Sequence, residues 1–388
     1  RSKVCLTSQL RTVSQSPRAE NIEMRGSKVG RSIQMKTGKS LTELAQEIER
    51  QYKVKEDLVA DTRRLEIVQN DGAVQLAVKN GDTTLFNMKP LAHRQIAERV
   101  GIPSKYYERM LSEQPQLLAQ NVNTWFEQKP ERRLVRLLDG KVRAFLSDRY
   151  QRIDNWDVAQ TVLPILLGTP GIECLSQEVT ESKLYIKAVT HKVQGEIKSK
   201  RVGDIVEAGV MISNSEVGLG AISIKPFVHF LVCTNGMVRD KDALRRAHIG
   251  RQIEGENIVQ FLTDETRKAE DHAVLLKIRD VVHAAMDATN FRRMLDEMQE
   301  TTEQRLEGSP VEAVKVLGST FGLLEGEQTS ILRHLIEGAD LSRYGLMNAV
   351  TRASADIESY DRATDLETIG GAILDLPKLD WKRIAVAA

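Results

Sequence analysis

One apolar strand between two polar, glycine-bearing turns constrains the fold of this chain most. Residues 213–237 read SNSEVGLGA, then ISIKPFVHFLV, then CTNGM. β-Branched and aromatic residues favour a strand, whereas Gly, Asn and Ser favour turns. The segment therefore predicts a core strand whose two turns shape a binding groove. The predicted groove-shaping residues are Ser213, Asn214, Glu216, Gly218, Asn235 and Gly236.

Backbone N–H groups in the first of these turns are candidates for binding phosphate, as in anion-binding nests. The alternative is a β-bulge in which glycine supplies an unusual φ and Asn214 and Asn235 cap the turns. The chain has no GxxxxGK[ST] and no GxGxxG ahead of a helix. A motor driven by a mononucleotide is therefore not predicted.

Residues 132–152 carry a strong excess of basic side chains, with seven Lys or Arg against Asp139 and Asp148. The Asp139–Gly140 pair between two apolar and basic runs predicts a β-hairpin. Alternation along each strand predicts one apolar face, from Leu134 to Leu146, and one arginine face. Basic residues assigned to an anion surface are Arg132, Arg133, Arg136, Lys141, Arg143 and Arg149. The alternative is a solvated strand face with scattered ion pairs.

A second basic cluster follows the CTNGM turn and is predicted to line the same groove. If this segment is helical, its basic side chains lie close together and Gly250 ends the helix. Its candidate binding residues are Arg239, Arg245, Arg246, His248 and Arg251. The alternative is an ordinary connector with exposed arginines.

Charge and secondary-structure patterns divide the chain into three regions. Residues 1–34 are rich in Ser and Arg and lack periodicity, which predicts a disordered leader or a non-native extension. Residues 35–253 are predicted to form an α+β nucleic-acid-binding body. Residues 254–388 read as helical, and the segment from Gln252 onward holds 15 basic and 25 acidic residues.

Within the body, short strands with Asp71–Gly72 and Asn80–Gly81 turns predict a β-meander, and three helices follow over 90–127. Further strands are expected at 172–179, 183–190, 205–213 and 219–233. The predicted fold class is α+β, with a largely antiparallel sheet, flanking helices and a helical C-terminal region.

Cysteine content and hydropathy indicate the cellular compartment. Three cysteines without CxxC spacing argue against a disulfide framework and against a zinc cluster. The longest apolar runs are shorter than the roughly 20 residues of a membrane helix. A cytoplasmic protein with no membrane contact is expected.

Six spaced motifs resemble a known family: VNTWF, VRAFLSDRY, SNSEVGLGA, CTNGM, RRAHIGR and YGLMNAVT. Together they resemble the phage- and plasmid-like family described only as a domain of unknown function, number nine-three-two, over roughly residues 65–355. The order of meander, hairpin and helices is also similar to the fold of phage single-strand annealing proteins of the RecT-like, Erf-like and Rad-type groups. This resemblance implies DNA recombination by strand annealing and a homo-oligomer, as a ring or filament.

Residues and resemblance together predict a single-stranded DNA-binding protein. Closely spaced cations suit a phosphate backbone, and Tyr150 and Trp156 are candidate faces for base stacking. No catalytic residue, cofactor or metal ligand is predicted. One alternative is a metal-dependent nuclease or other phosphoryl-transfer enzyme that gathers Asp148, Asp204 and Glu216. Another is an oligomeric scaffold or host-interaction protein.

Overall fold

The computed structural model of the protein describes residues 35–36, 38–198, 204–232, 234–241, 243–246 and 264–387. Within these residues the chain forms two β-sheets and twelve α-helices, so the predicted α+β class is confirmed. Helix α1 (Leu41–Val54) opens the described chain. Its start follows from a capping box, in which Ser40 accepts from the Glu43 N–H and Glu43 accepts from the Ser40 N–H.

The first sheet has six strands. They are β1 (Glu56–Asp61), β2 (Leu65–Asn70), β3 (Ala73–Asn80), β4 (Asp82–Met88), β5 (Arg132–Leu138) and β6 (Lys141–Ser147). Their order across the sheet is β1-β5-β6-β4-β3-β2, and only the β4–β6 pair is parallel. Asp139 and Gly140 both have positive φ, at 52° and 68°, as the predicted two-residue hairpin turn requires.

Three helices cover one face of the first sheet. They are α2 (Pro90–Val100), α3 (Ser104–Glu113) and α4 (Pro115–Gln128). Apolar residues of alternate strand positions, such as Ile67, Leu76 and Val135, form a core with residues of these helices, such as Ile96 and Val122. The predicted meander, hairpin and three helices are therefore confirmed.

The side chain of Asn123 on α4 covers part of the outer edge of the first sheet. Its amide nitrogen donates to the Ile67 carbonyl oxygen at 2.9 Å, and its amide oxygen accepts from the Ile67 N–H at 2.7 Å. Strand β2 is the last strand on this side. Asn123 thus satisfies the same two backbone groups that a further strand would bind.

The second sheet is antiparallel throughout. Its strands are β7 (Ile172–Val179), β8 (Leu184–Ile197), β9 (Asp204–Asn214), β10 (Ile222–Phe230), β11 (Asn235–Val238) and β12 (Leu244–Arg246). The order is β11-β10-β9-β8-β7, and β12 also pairs with β10. The predicted strand at 219–233 is therefore too long. Strand β10 ends at Phe230, and the chain then turns into β11.

The remaining helices pack around the second sheet. They are α5 (Asn155–Gly168), α6 (Asp264–Ala285), α7 (Ala288–Thr302), α8 (Pro310–Phe321), α9 (Glu325–Gly338), α10 (Arg343–Ala353), α11 (Tyr360–Leu374) and α12 (Lys378–Ala385). Ile186 and Ile212 pack with α1, α5 and α6, whereas Val206 and Phe230 pack with the C-terminal helices. Tyr185 and Met211 pack with Tyr360 of α11. The C-terminal helices and the sheet thus share one core.

The structure differs from the sequence-based expectations at two places. Strand β1 was not predicted, because EDLVAD lacks clean alternation and carries acids at both ends. The segment Leu244–Arg246, for which a helix and a connector were both considered, forms β12 against Ile222–Ile224. The basic side chains of this segment therefore do not share a helix face. No helix among the described residues combines the length and the apolar character that crossing a lipid bilayer requires.

A polar cluster spans four neighbouring strands of the second sheet where β8 has a bulge. His191 Nδ1 lies 2.8 Å from Glu207 Oε1, and its Nε2 lies 2.9 Å from Glu173 Oε2. Glu207 is buried and also contacts His229 Nδ1 at 3.3 Å and the Gln194 amide at 2.8 Å. Because both ring nitrogens of His191 face carboxylates, the ring donates both bonds only as an imidazolium.

The His191 cluster predicts a pH-dependent part of the stability. The hydrogen bond to Glu207 raises the pKa of His191 above its ordinary value of 6.5, against burial. Stabilisation by the imidazolium should be fully present below pH 6.5 and should be lost as pH rises through the raised pKa. Since the side chain is 46% exposed, the effect should stay under about 1 kcal/mol. Thermal melts of the wild type and His191→Gln across this range should converge at high pH, and a constant difference would contradict the prediction.

Candidate nucleic-acid interface

The centre of the predicted arginine face is a buried ion cluster between the two sheets, formed by Lys55, Asp57, Arg136, Arg143, Asp154 and Glu216. Arg136 is completely buried. It donates to Asp57 at 2.8 Å, to Asp154 at 2.7 Å and to the Glu216 carbonyl oxygen at 2.9 Å. Burial opposes its charge, but Asp154 and Asp57 outweigh this effect and raise the pKa of Arg136.

The prediction that Arg136 and Arg143 project into solvent is therefore wrong. Leu134 and Arg136 are two residues apart and share a strand face, so the expected separation of apolar and basic faces does not hold. The turn after β9 covers this face, because Val217 packs with Leu134 and Leu146. Arg143 lies beside a register shift in the hairpin and binds Glu216 Oε2 at 2.7 Å.

The turn that was predicted to bind phosphate is filled by its own side chains. Ser215 Oγ accepts from the N–H groups of Val217 at 3.3 Å and Leu219 at 3.0 Å. Glu216 Oε1 accepts from the Asn155 N–H at 2.6 Å. The N–H groups of this turn therefore do not form a free anion nest, and the turn joins the two sheets instead.

Two residues at the start of this turn have structural roles. The Asn214 amide donates to Asn155 Oδ1 at 2.9 Å and to the Ile153 carbonyl oxygen at 3.2 Å, and Ser213 is buried opposite Ser223.

Gly218 has a φ of +82°, and a Cβ there would lie 2.6 Å from Leu146. This left-handed backbone conformation favours glycine.

The second turn is also buried. The Asn235 amide donates to Thr351 Oγ1 at 2.5 Å, which ties β11 to α10. A Cβ on Gly236 would lie 2.3 Å from the Phe227 ring. These turn residues shape packing between the sheet and the C-terminal helices rather than a groove.

The second basic cluster is mostly held in ion pairs. Arg239 is buried and binds Asp375, which follows α11, at 2.5 Å, and Glu297 on α7. Arg245 is exposed and binds Asp240 at 2.5 Å. Arg246 pairs through its backbone with Ile222, and the predicted contacts of His248 and Arg251 lie outside the described residues.

The aromatic residues predicted for base stacking are covered. The Tyr150 hydroxyl donates to the Ser215 carbonyl oxygen at 2.7 Å, and the side chain is partly buried. Trp156 is 6% exposed and stacks on Tyr52 with 5.1 Å between ring centroids. Trp156 therefore offers no open face to a base, and the hydroxyl of the partly buried Tyr150 is already bonded.

Four exposed cations lie instead at one end of the first sheet. We call this region the basic end, and it consists of Arg64, Lys129, Arg132 and Arg149, with Trp125 beside Lys129. Asp61 lies opposite Arg132 in the β1–β5 pair, and Arg133 lies opposite Ser147 in the β5–β6 pair. These pairings bring the start of β5 close to the end of β6.

A short 3₁₀ helix, Thr62–Arg64, joins the basic end to α4. The Thr62 hydroxyl donates to the Phe126 carbonyl oxygen at 2.9 Å, and the Thr62 N–H donates to the Glu131 carbonyl oxygen at 2.9 Å. Arg64 is thereby held beside the segment that carries Trp125 and Lys129. Three chain segments, around residues 64, 129–132 and 149, thus contribute cations to one end of the sheet.

Positive charge is in excess at the basic end. The segments 61–64, 125–133 and 147–149, together with Arg99, hold seven cations, which are Arg63, Arg64, Arg99, Lys129, Arg132, Arg133 and Arg149, and four carboxylates, which are Asp61, Glu127, Glu131 and Asp148. Two of the carboxylates are already used, because Asp61 binds Arg63 and Glu131 binds Arg99 and Arg133. In the described part of the chain, the side chains of Arg64, Arg132 and Arg149 are in no ion pair.

Two other cations of the hairpin, Arg133 and Lys141, are not exposed at the basic end. Arg133 lies over the Phe145 ring, 5.5 Å from its centroid, and is mostly covered. Lys141 is exposed but lies next to the Asp139–Gly140 turn, at the opposite end of the hairpin. Of the predicted hairpin residues, only Arg132 and Arg149 therefore lie exposed at the basic end. Sequence reasoning missed Arg64, Lys129 and Trp125, although the VNTWF motif contains the tryptophan.

The three acids of the nuclease alternative do not converge. Asp204 begins β9 and accepts from the Tyr344 hydroxyl at 2.7 Å, whereas Glu216 lies beyond the far end of the same strand. A strand of 11 residues separates these carboxylates by roughly 30 Å. No group of three or more His, Cys, Asp or Glu side chains among the described residues is arranged to hold a metal ion.

Comparisons with known proteins identify a family. No curated protein and no solved structure matches the chain. One family model matches residues 143–371, which is more than half of the chain and includes Arg143, Glu216 and most of the second sheet with its helices. Arg64, Trp125 and Arg132 lie before the matched region. The chain belongs to the family described as Domain of unknown function (DUF932).

Proposed function

We propose that this protein binds single-stranded DNA through the basic end and acts in strand annealing during recombination of phage or plasmid DNA. The observation that carries the proposal is the set of exposed cations at the basic end, three of which are arginines outside any described ion pair. Arginine and lysine that face solvent bind backbone phosphates and release counterions from them. Buried, paired arginines such as Arg136 are excluded from this role.

Strand annealing and assembly into a homo-oligomer are the narrower part of the proposal. Both rest on the similarity of the motif order to that of phage annealing proteins. Phosphate contacts suit this activity, because they hold a strand without reading its sequence. A strand that is bound through its backbone keeps its base edges free to pair with a complement.

A charge-reversal experiment tests the binding surface. We expect the wild type to bind a fluorescein-labelled dT oligonucleotide with an affinity that falls steeply as salt rises. Each single-strand phosphate contact contributes about 0.7 to the slope of log affinity against log salt. Changing Arg64, Arg132 and Arg149 to Glu should therefore lower this slope by about 2 and weaken binding at every salt concentration.

A matched control carries the same change in charge elsewhere. Arg292, Lys382 and Arg383 are exposed on the C-terminal helices, and changing these three to Glu should leave the slope nearly unaltered. Fluorescence anisotropy measures binding, and the rate at which two labelled complementary strands pair measures annealing in the same samples. A flat salt response of the wild type, or equal losses in the two triple variants, would refute the proposal.

A further inference from the structure

Trp125 is the exposed tryptophan of the described chain. Its side chain is on α4 and is 37% exposed, whereas Trp156 and Trp381 are 6% and 7% exposed. A large aromatic ring at the surface loses the stabilisation that burial would give it. This ring lies beside Lys129 of the basic end, and it is absent from the apolar core of the first sheet.

Contacts along the helix hold the ring, and one of them places a cation over its face. The indole N–H of Trp125 donates to Asn121 Oδ1 at 3.1 Å, one turn earlier. The Lys129 ammonium group lies 5.2 Å from the ring centroid, one turn later. Because the N–H group already has a partner, the ring offers its π face and no free hydrogen-bond donor.

The helix that carries Trp125 is anchored to the sheet on both sides of this residue. Asn123 forms two hydrogen bonds with the Ile67 backbone, and the Phe126 carbonyl oxygen accepts from Thr62. Both anchors lie within two residues of Trp125. The ring is therefore held in place before any ligand arrives, which reduces the entropy lost on binding.

We infer that Trp125 is a stacking platform for an unpaired base, with Lys129 moving from the ring to a neighbouring phosphate. This inference rests on the proposed function. Stacking needs an exposed base face, which a single strand offers and the interior of a duplex does not. It is independent of sequence, since every base has a π face. The platform therefore specifies a single-stranded ligand that is recognised without a base code.

Two variants and two oligonucleotides test the platform in the full chain. Trp125→Ala should weaken binding of a dT oligonucleotide by between about fivefold and 150-fold, the range that corresponds to about 1–3 kcal/mol per stacked base. Trp125→Phe should retain part of the affinity, because a smaller ring still stacks. The salt slope should stay unchanged in both variants. Binding of an abasic oligonucleotide of equal length should be the same for the wild type and Trp125→Ala.

Tryptophan emission gives a second readout. We expect the dT oligonucleotide to quench the wild type strongly, the abasic oligonucleotide to quench it little, and Trp125→Phe to show almost no quenching. Wild-type binding with a steep salt slope and equal affinity of Trp125→Ala would overturn the platform alone. Equal quenching by the two oligonucleotides would also overturn it. Absence of any binding by the wild type would overturn both the platform and the proposed function.

Discussion

Replacing Arg136 with alanine should lower the free energy of unfolding by about 3–5 kcal/mol. The guanidinium group is completely buried and neutralises two carboxylates, Asp57 and Asp154. Without it, these carboxylates stay inside the protein with only Lys55 beside Asp154. Removing one partner from a buried charge cluster costs far more than the cluster contributes in net stability. Urea denaturation, followed by circular dichroism, measures the change.

Arg132 supplies a control on the same strand. It is exposed and outside any described ion pair, so Arg132→Ala should change the free energy of unfolding by no more than about 0.5 kcal/mol. The two variants should thus separate folding from binding, with Arg136→Ala affecting stability and Arg132→Ala affecting affinity for DNA. A loss below about 1 kcal/mol for Arg136→Ala would contradict the structural role of the cluster.

Breaking the buried pair between Lys187 and Glu367 should have a similarly large effect. The Lys187 ammonium group lies 2.5 Å from Glu367 Oε2, 3.2 Å from Thr364 Oγ1 and 4.9 Å from the centroid of the Tyr360 ring. Both charged side chains are at most 2% exposed. The pair joins β8 to α11, and Lys187→Met should lower the free energy of unfolding by about 3–5 kcal/mol because Glu367 is left unpaired.

A double variant distinguishes a buried unpaired charge from lost packing. Lys187→Met combined with Glu367→Leu removes both charges and keeps apolar volume at the contact. This variant should recover most of the stability that the single change loses, since apolar replacements of buried pairs are often neutral. The same denaturation series measures it. If the double variant is as unstable as Lys187→Met, packing rather than charge would explain the loss.

Local signals in the sequence were sufficient for most of the fold. The Asp71–Gly72, Asn80–Gly81 and Asp139–Gly140 turns each act within a few residues. Strand β1 was the main omission, and it had a large consequence. Asp57 on this strand is the partner of Arg136, 79 positions later in the chain. Without β1, the arginine face of the hairpin was taken to be open.

The candidate site was harder to predict, because exposure depends on contacts between distant segments. Seven basic residues within 132–152 look alike in the sequence, yet Arg136 is completely buried and Arg132 is exposed. The difference arises because the turn at residues 215–217 packs on the middle of the hairpin and leaves its start uncovered. The hydrogen bonds of Thr62 help to bring Arg64 and Trp125 to this start.

Asn123 has a consequence for how copies of this protein associate. Its amide group takes the place of a peptide unit beside Ile67, so the β2 edge is closed to a strand from another molecule at that point. A filament that grows by adding strands at this edge would first have to remove an asparagine held by two hydrogen bonds. The helix that presents Trp125 thus also blocks edge-to-edge strand pairing at this position.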